Sequence, residues 1–191
     1  QIAISGQVLT NLEQGKTLSR LVGIVSQQYG LIPNLPVIQN VLAGKLGSWT
    51  NFKSVLSLIW PQDRKQAASI LSSLGLHEKI NERTSHLSGG EQQRVAVARV
   101  LIQSPDVILA DEPVASLDPA LAESVMGLLS RIANVDHKTL ILSSHSPYLI
   151  KTYCSRIIGI RQGNILFDMP VSEIDDDIFH DLYKSSQSLQ S

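Results

Sequence analysis

The sequence predicts an α/β fold with a mostly parallel sheet and an inserted helical region. Short apolar runs at residues 21–25, 107–110 and 139–143 have the length and composition of buried strands, that at 107–110 of one buried on both faces as in a parallel sheet. Amphipathic helical stretches at 91–103 and 120–133 fall between strands, as in βαβ units. From about Val37 to Arg99 helical patterning interrupts that alternation. This marks a helical subdomain, residues 37–99, within one domain spanning 1–191.

Taken in order, residues 1–9 alternate, with Ile2, Ile4 and Val8 spaced by polar or small residues around a turn at Gly6. The strand at 21–25 follows. Residues 27–36 read as loop, with Gly30, Pro33, Asn34 and Pro36. Residues 37–44 form a short helix, and 49–61 an irregular segment anchored by Trp49, Phe52, Leu56 and Trp60. A helix over 63–76 puts Ala67, Ile70, Leu71 and Leu74 on one face and ends at Gly75. The helix at 91–103 turns Val95, Ala98, Leu101 and Ile102 inward, and that at 120–133 has Leu121, Val125, Leu128 and Ile132 in phase. A short helix over 147–154 precedes two strands, 156–161 and 164–168, joined at Gln162-Gly163 as a hairpin. The polar tail from Lys184 is expected to fray.

The chain has 191 residues, 43% hydrophobic and 17% charged, which is globular composition. A net charge of −1 argues against a nucleic-acid binder that works by bulk charge. Cys154 has no partner for an internal disulfide, and the expectation is a reducing compartment with this thiol partly buried. Neither a signal peptide nor a membrane-spanning run is expected.

The chemistry concentrates in three places. Ser88-Gly89-Gly90 stands immediately before an amphipathic helix, so backbone N–H groups and the helix dipole favour an anion such as phosphate there. Taken alone, the segment reads equally as a capped helix start with Ser88 as the cap. The strand at 107–110 runs into Asp111-Glu112-Pro113, two carboxylates at the end of a strand, where α/β folds bind ligands. Adjacent strand residues point opposite ways, so Asp111 can hold Mg²⁺ through water while Glu112 acts as general base on an attacking water. The blander alternative is a pair of solvated carboxylates in a turn. Asp118 is placed to cap the next helix, with Pro119 at its first position. His145 follows the strand at 139–143, where it can contact a phosphoryl group, although a lone histidine is more often structural.

Together these residues resemble the ATP-binding-cassette ATPases. Residues 87–91 are similar to the family signature, usually Leu-Ser-Gly-Gly-Gln, here with Glu91. Residues 107–112 resemble Walker B, 115–118 the D-loop, and His145 the switch histidine. Gln27 resembles the Q-loop glutamine, with Ser26 where a phenylalanine is more frequent. A finer resemblance, carried by residues 41–47, 59–65, 110–119 and 156–161, is to the phosphonate-importer branch of the family.

The resemblance implies a P-loop NTPase-like core, of which this chain is the C-terminal part. The Walker A loop is not found. Gly15-Lys16-Thr17 is a decoy, because Glu13 would sit inside the phosphate cradle, and it is expected to be a surface turn. The family pattern places Walker A before Gln1, so the expectation is an N-terminally truncated chain, either a fragment or a degenerate product.

The resemblance further implies ATP and Mg²⁺ as cofactors, two such subunits sandwiching ATP, and a transmembrane permease seated at the cytoplasmic face of the inner membrane. A periplasmic solute-binding protein would be an indirect partner. Ser88, Gly89, Gly90, Glu91 and Asp118 would serve the nucleotide across the dimer. Asp111 and Gln27 would serve Mg²⁺, Glu112 would be the base, and His145 would stabilise the γ-phosphoryl group. The groove around Gln27 and residues 37–46 would receive the permease. Two other readings stay open: a non-transport ATPase of the family, and a catalytically inactive remnant.

Overall fold

The computed structural model describes residues 3–4, 6–8, 16–47, 63–175 and 178. Gly15, the segment 49–61 and the tail from Lys184 lie outside the described residues. The chain divides into two compact units, residues 1–143 and 144–191.

The first unit opens with a two-stranded antiparallel ribbon, β1 (Ala3–Ile4) and β2 (Gln7–Val8), turning at Gly6. Lys16 and Thr17 belong to helix α1 (Lys16–Leu21) and not to the expected surface turn; Leu18 and Leu21 give that stretch a helical spacing that a three-residue reading overlooks. The sheet has the order β3 (Val22–Val25), β4 (Val107–Asp111), β5 (Thr139–Ser143), all parallel. In register, Gly23, Ile108 and Leu140 share one face, as do Val25, Ala110 and Leu142.

That face is covered by helix α4 (Gly89–Gln103), which packs on β3, and α5 (Pro119–Val135), which packs on β5. The approach of α4 is close: a Cβ on Gly23 would stand 2.7 Å from Pro105 Cγ and 2.8 Å from Val100 Cγ1, so only glycine fits there. The opposite face, Ile24, Leu109 and Ile141, is 57%, 37% and 57% exposed. The expectation that 107–110 is buried on both faces, and that the strands beside it are buried, is therefore corrected. A continuous apolar run states that a strand is apolar, not that both of its faces are covered.

Helix α2 (Val37–Leu42) continues as a 3-10 turn over Ala43–Lys45, and α3 (Arg64–Ser73) ends in a turn where Gly75 has φ +68°. Both helices pack on α4. This makes α4 buried nearly all round: Val95, Ala96, Val97, Ala98, Val100 and Ile102 are buried, while Leu101, expected inward, is only half-buried. In α5 the buried residues are Ala122, Val125, Met126 and Leu129. The stripe is thus rotated about one residue from the expected one; Leu121, Leu128 and Ile132 lie at its half-buried border.

The second unit holds α6 (Pro147–Tyr153) and the antiparallel pair β6 (Arg156–Arg161) and β7 (Asn164–Pro170). Its small core is Ile157 and Ile174, with Ile150, Phe167, Met169 and Val171 packed against them. Arg156 clamps Asp168 with two bonds, Nε to Oδ1 at 2.6 Å and Nη2 to Oδ2 at 2.8 Å. Cys154 is half-buried, as expected, and burial pushes its thiol pKa up.

Candidate functional site

The site grows from the C-terminal ends of the parallel strands. Register fixes what meets there. Val25 lies beside Ala110, so Gln27, two residues on, and Asp111, one residue on, leave neighbouring strands at the same end. Asp111 is registered with Ser143. The Ser143 hydroxyl donates to Asp111 Oδ1 at 2.6 Å, and the Glu112 N–H donates to Ser143 Oγ at 3.1 Å. One serine therefore orients the carboxylate of Asp111 and the backbone of Glu112. Sequence reading missed Ser143, because a polar residue at a strand end carries no signal of its own.

Glu112 adopts φ 46°, the left-handed region. For a residue with a long side chain this is strained backbone, held only because its surroundings fix it, and such strain clusters at functional sites. Its carbonyl accepts from Gln93 Nε2 at 2.8 Å. Gln93 is 3% exposed, and its Oε1 accepts from the Ser116 N–H at 3.2 Å. Sequence reading assigned Gln93 nothing.

Ser88 caps α4 in a capping box. Its Oγ accepts from the Glu91 N–H at 3.3 Å, and its own N–H donates to Glu91 Oε2 at 2.8 Å. The Ser88 backbone N–H, ahead of other groups, holds the Glu91 carboxyl below the usual glutamate range. The two glycines differ. A Cβ on Gly89 would meet nothing within 4 Å; one on Gly90 would stand 3.1 Å from Ser116 O and 3.2 Å from Leu117 Cδ2. Gly89 faces open space and Gly90 lies against the loop after Glu112.

Asp118 caps α5 by accepting from the Leu121 N–H at 3.1 Å, with Pro119 in the first turn as expected. Exposed Gln27 begins a turn whose next residue but one, Tyr29, has φ 53°. Arg99 holds that turn, donating to Tyr29 O at 2.7 Å and Gly30 O at 2.6 Å, and the hydroxyls of Tyr29 and Ser116 are bonded at 3.3 Å. Asn40, buried beneath the same loop, accepts from the Ile32 N–H at 2.8 Å and donates to Ile32 O at 3.0 Å. His145 is exposed and belongs to the second unit, two residues after the end of β5.

These residues suit a polyphosphate and a divalent ion. Mg²⁺ keeps several waters and takes one or two protein carboxylates together with phosphate oxygens, so exposed Asp111, with Gln27 following the neighbouring strand at the same end, is an adequate donor set. Among the described residues no group of three or more His, Cys, Asp or Glu could cage a metal unaided.

The family profile described as "ABC transporter" matches residues 1–115. This chain belongs to the ABC transporter family. The phosphonates import ATP-binding protein of Staphylococcus epidermidis is 39% identical over 187 residues, 97% of this chain and 73% of the relative. Its namesake in Pseudomonas fluorescens is 43% identical over 178 residues, 93% of this chain and 67% of the relative. A solved ATP-binding cassette, dimeric in a post-hydrolysis state with ADP and Pi, superposes with a TM-score of 0.75 at 29% identity, over 88% of this chain and 72% of that one. The α/β cassette fold follows from these likenesses, and the chain is an ABC ATPase domain of the importer-subunit kind. Among the described residues no helix is long and apolar enough to cross a membrane.

Proposed function

We propose that this chain belongs to the ATP-hydrolysing subunit of a bacterial importer for phosphonates or related phosphorus oxyanions, hydrolysis being a property of the complete protein. The observation that carries the reading is the match of nearly the whole chain to phosphonates import ATP-binding proteins, 97% of it at 39% identity. The arrangement around Asp111 and Glu112 supports it.

In this reading two copies close on ATP, and each copy contributes two surfaces. One is the start of α4, where Ser88, Gly89 and Gly90 meet the γ-phosphate bound to the partner copy, with Glu91 fixing the cap and Asp118 at the same interface. Backbone N–H groups aimed at that phosphate stabilise charge that spreads over it in the transition state. The other is the strand-end cluster, where Asp111 and Gln27 would hold Mg²⁺, which would supply positive charge to offset that of the phosphates. Glu112 takes the proton of the attacking water, and His145 donates to the γ-phosphoryl oxygen. Ser143 keeps the Asp111 carboxylate aimed, and the left-handed backbone at Glu112 sets the direction of the base.

The helical subdomain, residues 37–99, carries the α4 start and, with the loop after Gln27, receives a cytoplasmic helix of the permease. Exposed Ile32 and Leu46, 52% and 47% accessible, supply apolar contact for it. The subunit then sits peripherally on the cytoplasmic face of the inner membrane. The periplasmic solute-binding protein acts on it only through the permease, and no nucleic acid is involved.

The test uses the assembled transporter in liposomes. Binding protein charged with a phosphonate, phosphite or phosphate should raise ATP turnover several-fold, and binding protein charged with an amino acid or sugar should not. A response only to a solute without phosphorus would overturn the substrate assignment while leaving the ATPase reading standing.

A further inference from the structure

We propose that Gln93 is a positioning residue that holds the base, Glu112, in register with the phosphate-binding start of its own α4; this rests on the reading of Glu112 as the base. Buried polar side chains among the described residues are Asn40, Thr84 and Gln93. Asn40 and Thr84 bond to one another and to the 32–36 loop. Gln93 points elsewhere. It emerges from α4 within two turns of Ser88 and spends both ends of its amide on one stretch of backbone: Nε2 on Glu112 O at 2.8 Å, Oε1 on the Ser116 N–H at 3.2 Å.

A buried amide among Val95, Ala96 and Val97 is unfavourable unless its hydrogen bonds are made. Packing alone would be served as well by methionine or leucine. What the amide adds is direction. The Glu112 N–H is held by Ser143 Oγ, and its carbonyl accepts from Gln93 Nε2 at 2.8 Å and from the Ala115 N–H at 3.3 Å, so both sides of the residue at φ 46° are fixed. Losing the Gln93 bond removes the shorter of the two bonds to the Glu112 carbonyl and weakens its hold on the left-handed conformation, so the carbonyl turns toward a relaxed geometry and the carboxylate turns with it.

The same side chain joins two functional surfaces. Gly90 lies against Ser116 O, and the Ser116 hydroxyl is bonded to Tyr29, in the loop that Arg99 pins from the far side of α4. A helix moves as a rigid rod. Seating a phosphate at Ser88–Gly90 therefore shifts the Glu112 backbone of the same subunit through Gln93. Phosphate docking on one copy and base alignment in that copy become one event.

The experiment is a double-mutant cycle on ATP turnover by the protein as its gene encodes it, assembled with its permease. Gln93→Met keeps the buried volume and removes both bonds. It should leave KM for ATP within about twofold and lower kcat by on the order of 10–100-fold. Added to Glu112→Gln, it should change the residual rate by less than about twofold, because a misaligned base and an absent base are the same defect. An equal loss in both backgrounds, or a loss carried by KM, overturns the positioning role. Turnover near wild type in Glu112→Gln alone would instead remove the base, and the proposal with it. If Gln93→Met does not fold, Gln93→Glu, which keeps the shape and the Ser116 contact, is read in the same cycle against the same outcomes.

Discussion

Gly89 is the first residue of α4, and a Cβ built there meets nothing within 4 Å. Gly89→Asp therefore costs the fold no clash. A carboxylate in the first turn of a helix interacts favourably with the dipole, by about 0.3–1 kcal/mol, so the melting temperature should hold or rise slightly. If the start of α4 meets the partner's nucleotide as proposed, the same carboxylate faces the partner's γ-phosphate in the closed dimer. For one pair of unit charges about 5 Å apart at an effective dielectric near 20, the repulsion is about 3 kcal/mol, or more than a hundredfold in the closing equilibrium. Stability and function are thus predicted to move in opposite directions. The assay, on one preparation of the complete protein, measures melting, nucleotide affinity of the monomer, and ATP-dependent dimerisation by light scattering. The expected result is melting held or slightly raised and monomer affinity unchanged, with dimerisation and turnover lost. Dimers that form with wild-type ATP dependence would refute the placement of Gly89 at the interface. Lost monomer affinity with dimers of pre-loaded subunits intact would make the α4 start a site for the subunit's own nucleotide.

Glu112→Gln keeps the shape and removes the base, so turnover should fall on the order of 10²-fold or more while ATP binding persists and dimers become long-lived; near-normal turnover removes Glu112 from that role. Because the Ser88 N–H holds the Glu91 carboxyl low, its contribution to the α4 start is complete above the ordinary glutamate pKa of about 4.3 and fades as pH falls through the lower folded value. Glu91→Gln keeps a capping box without a titrating group, so melting curves from pH 5 to 3 should lose part of their acid slope; an unchanged slope would show that the cap does not titrate. Asn40→Ala leaves the Ile32 N–H and O without their side-chain partner and should destabilise by about 1–3 kcal/mol in urea unfolding; a change below a few tenths would mean that water replaces the amide.

The parts of this molecule legible in the sequence are those written in local spacing. Ser88 with Glu91 three residues on specifies a capping box, and Asp118-Pro119 specifies a helix start; both form. The three apolar runs became three parallel neighbours because runs of that length between helices have few other uses. What stayed hidden depends on partners far along the chain. Gln93, Ser143 and Tyr29 gain their roles from residues 19, 32 and 87 positions away, as the Gln93–Glu112, Ser143–Asp111 and Tyr29–Ser116 bonds show. The open face of Ile24, Leu109 and Ile141 was hidden for the same reason, since a strand's sequence does not say what lies above it. Leu121, Leu128 and Ile132 are in phase with one another, yet α5 turns the neighbouring stripe to the sheet, a choice made by the packing of Val125, Met126 and Leu129.

The left-handed backbone at Glu112 bears on how this sequence drifts. A glycine or asparagine would sit at φ 46° with less strain, so at this position selection for stability alone runs away from glutamate. Most positions tie fold and chemistry together; if Glu112 is the base as proposed, here they are opposed, and the chain would be sturdier once it stopped working. In a lineage released from the reaction, position 112 is therefore among the first expected to change, well before the buried stripe of α4.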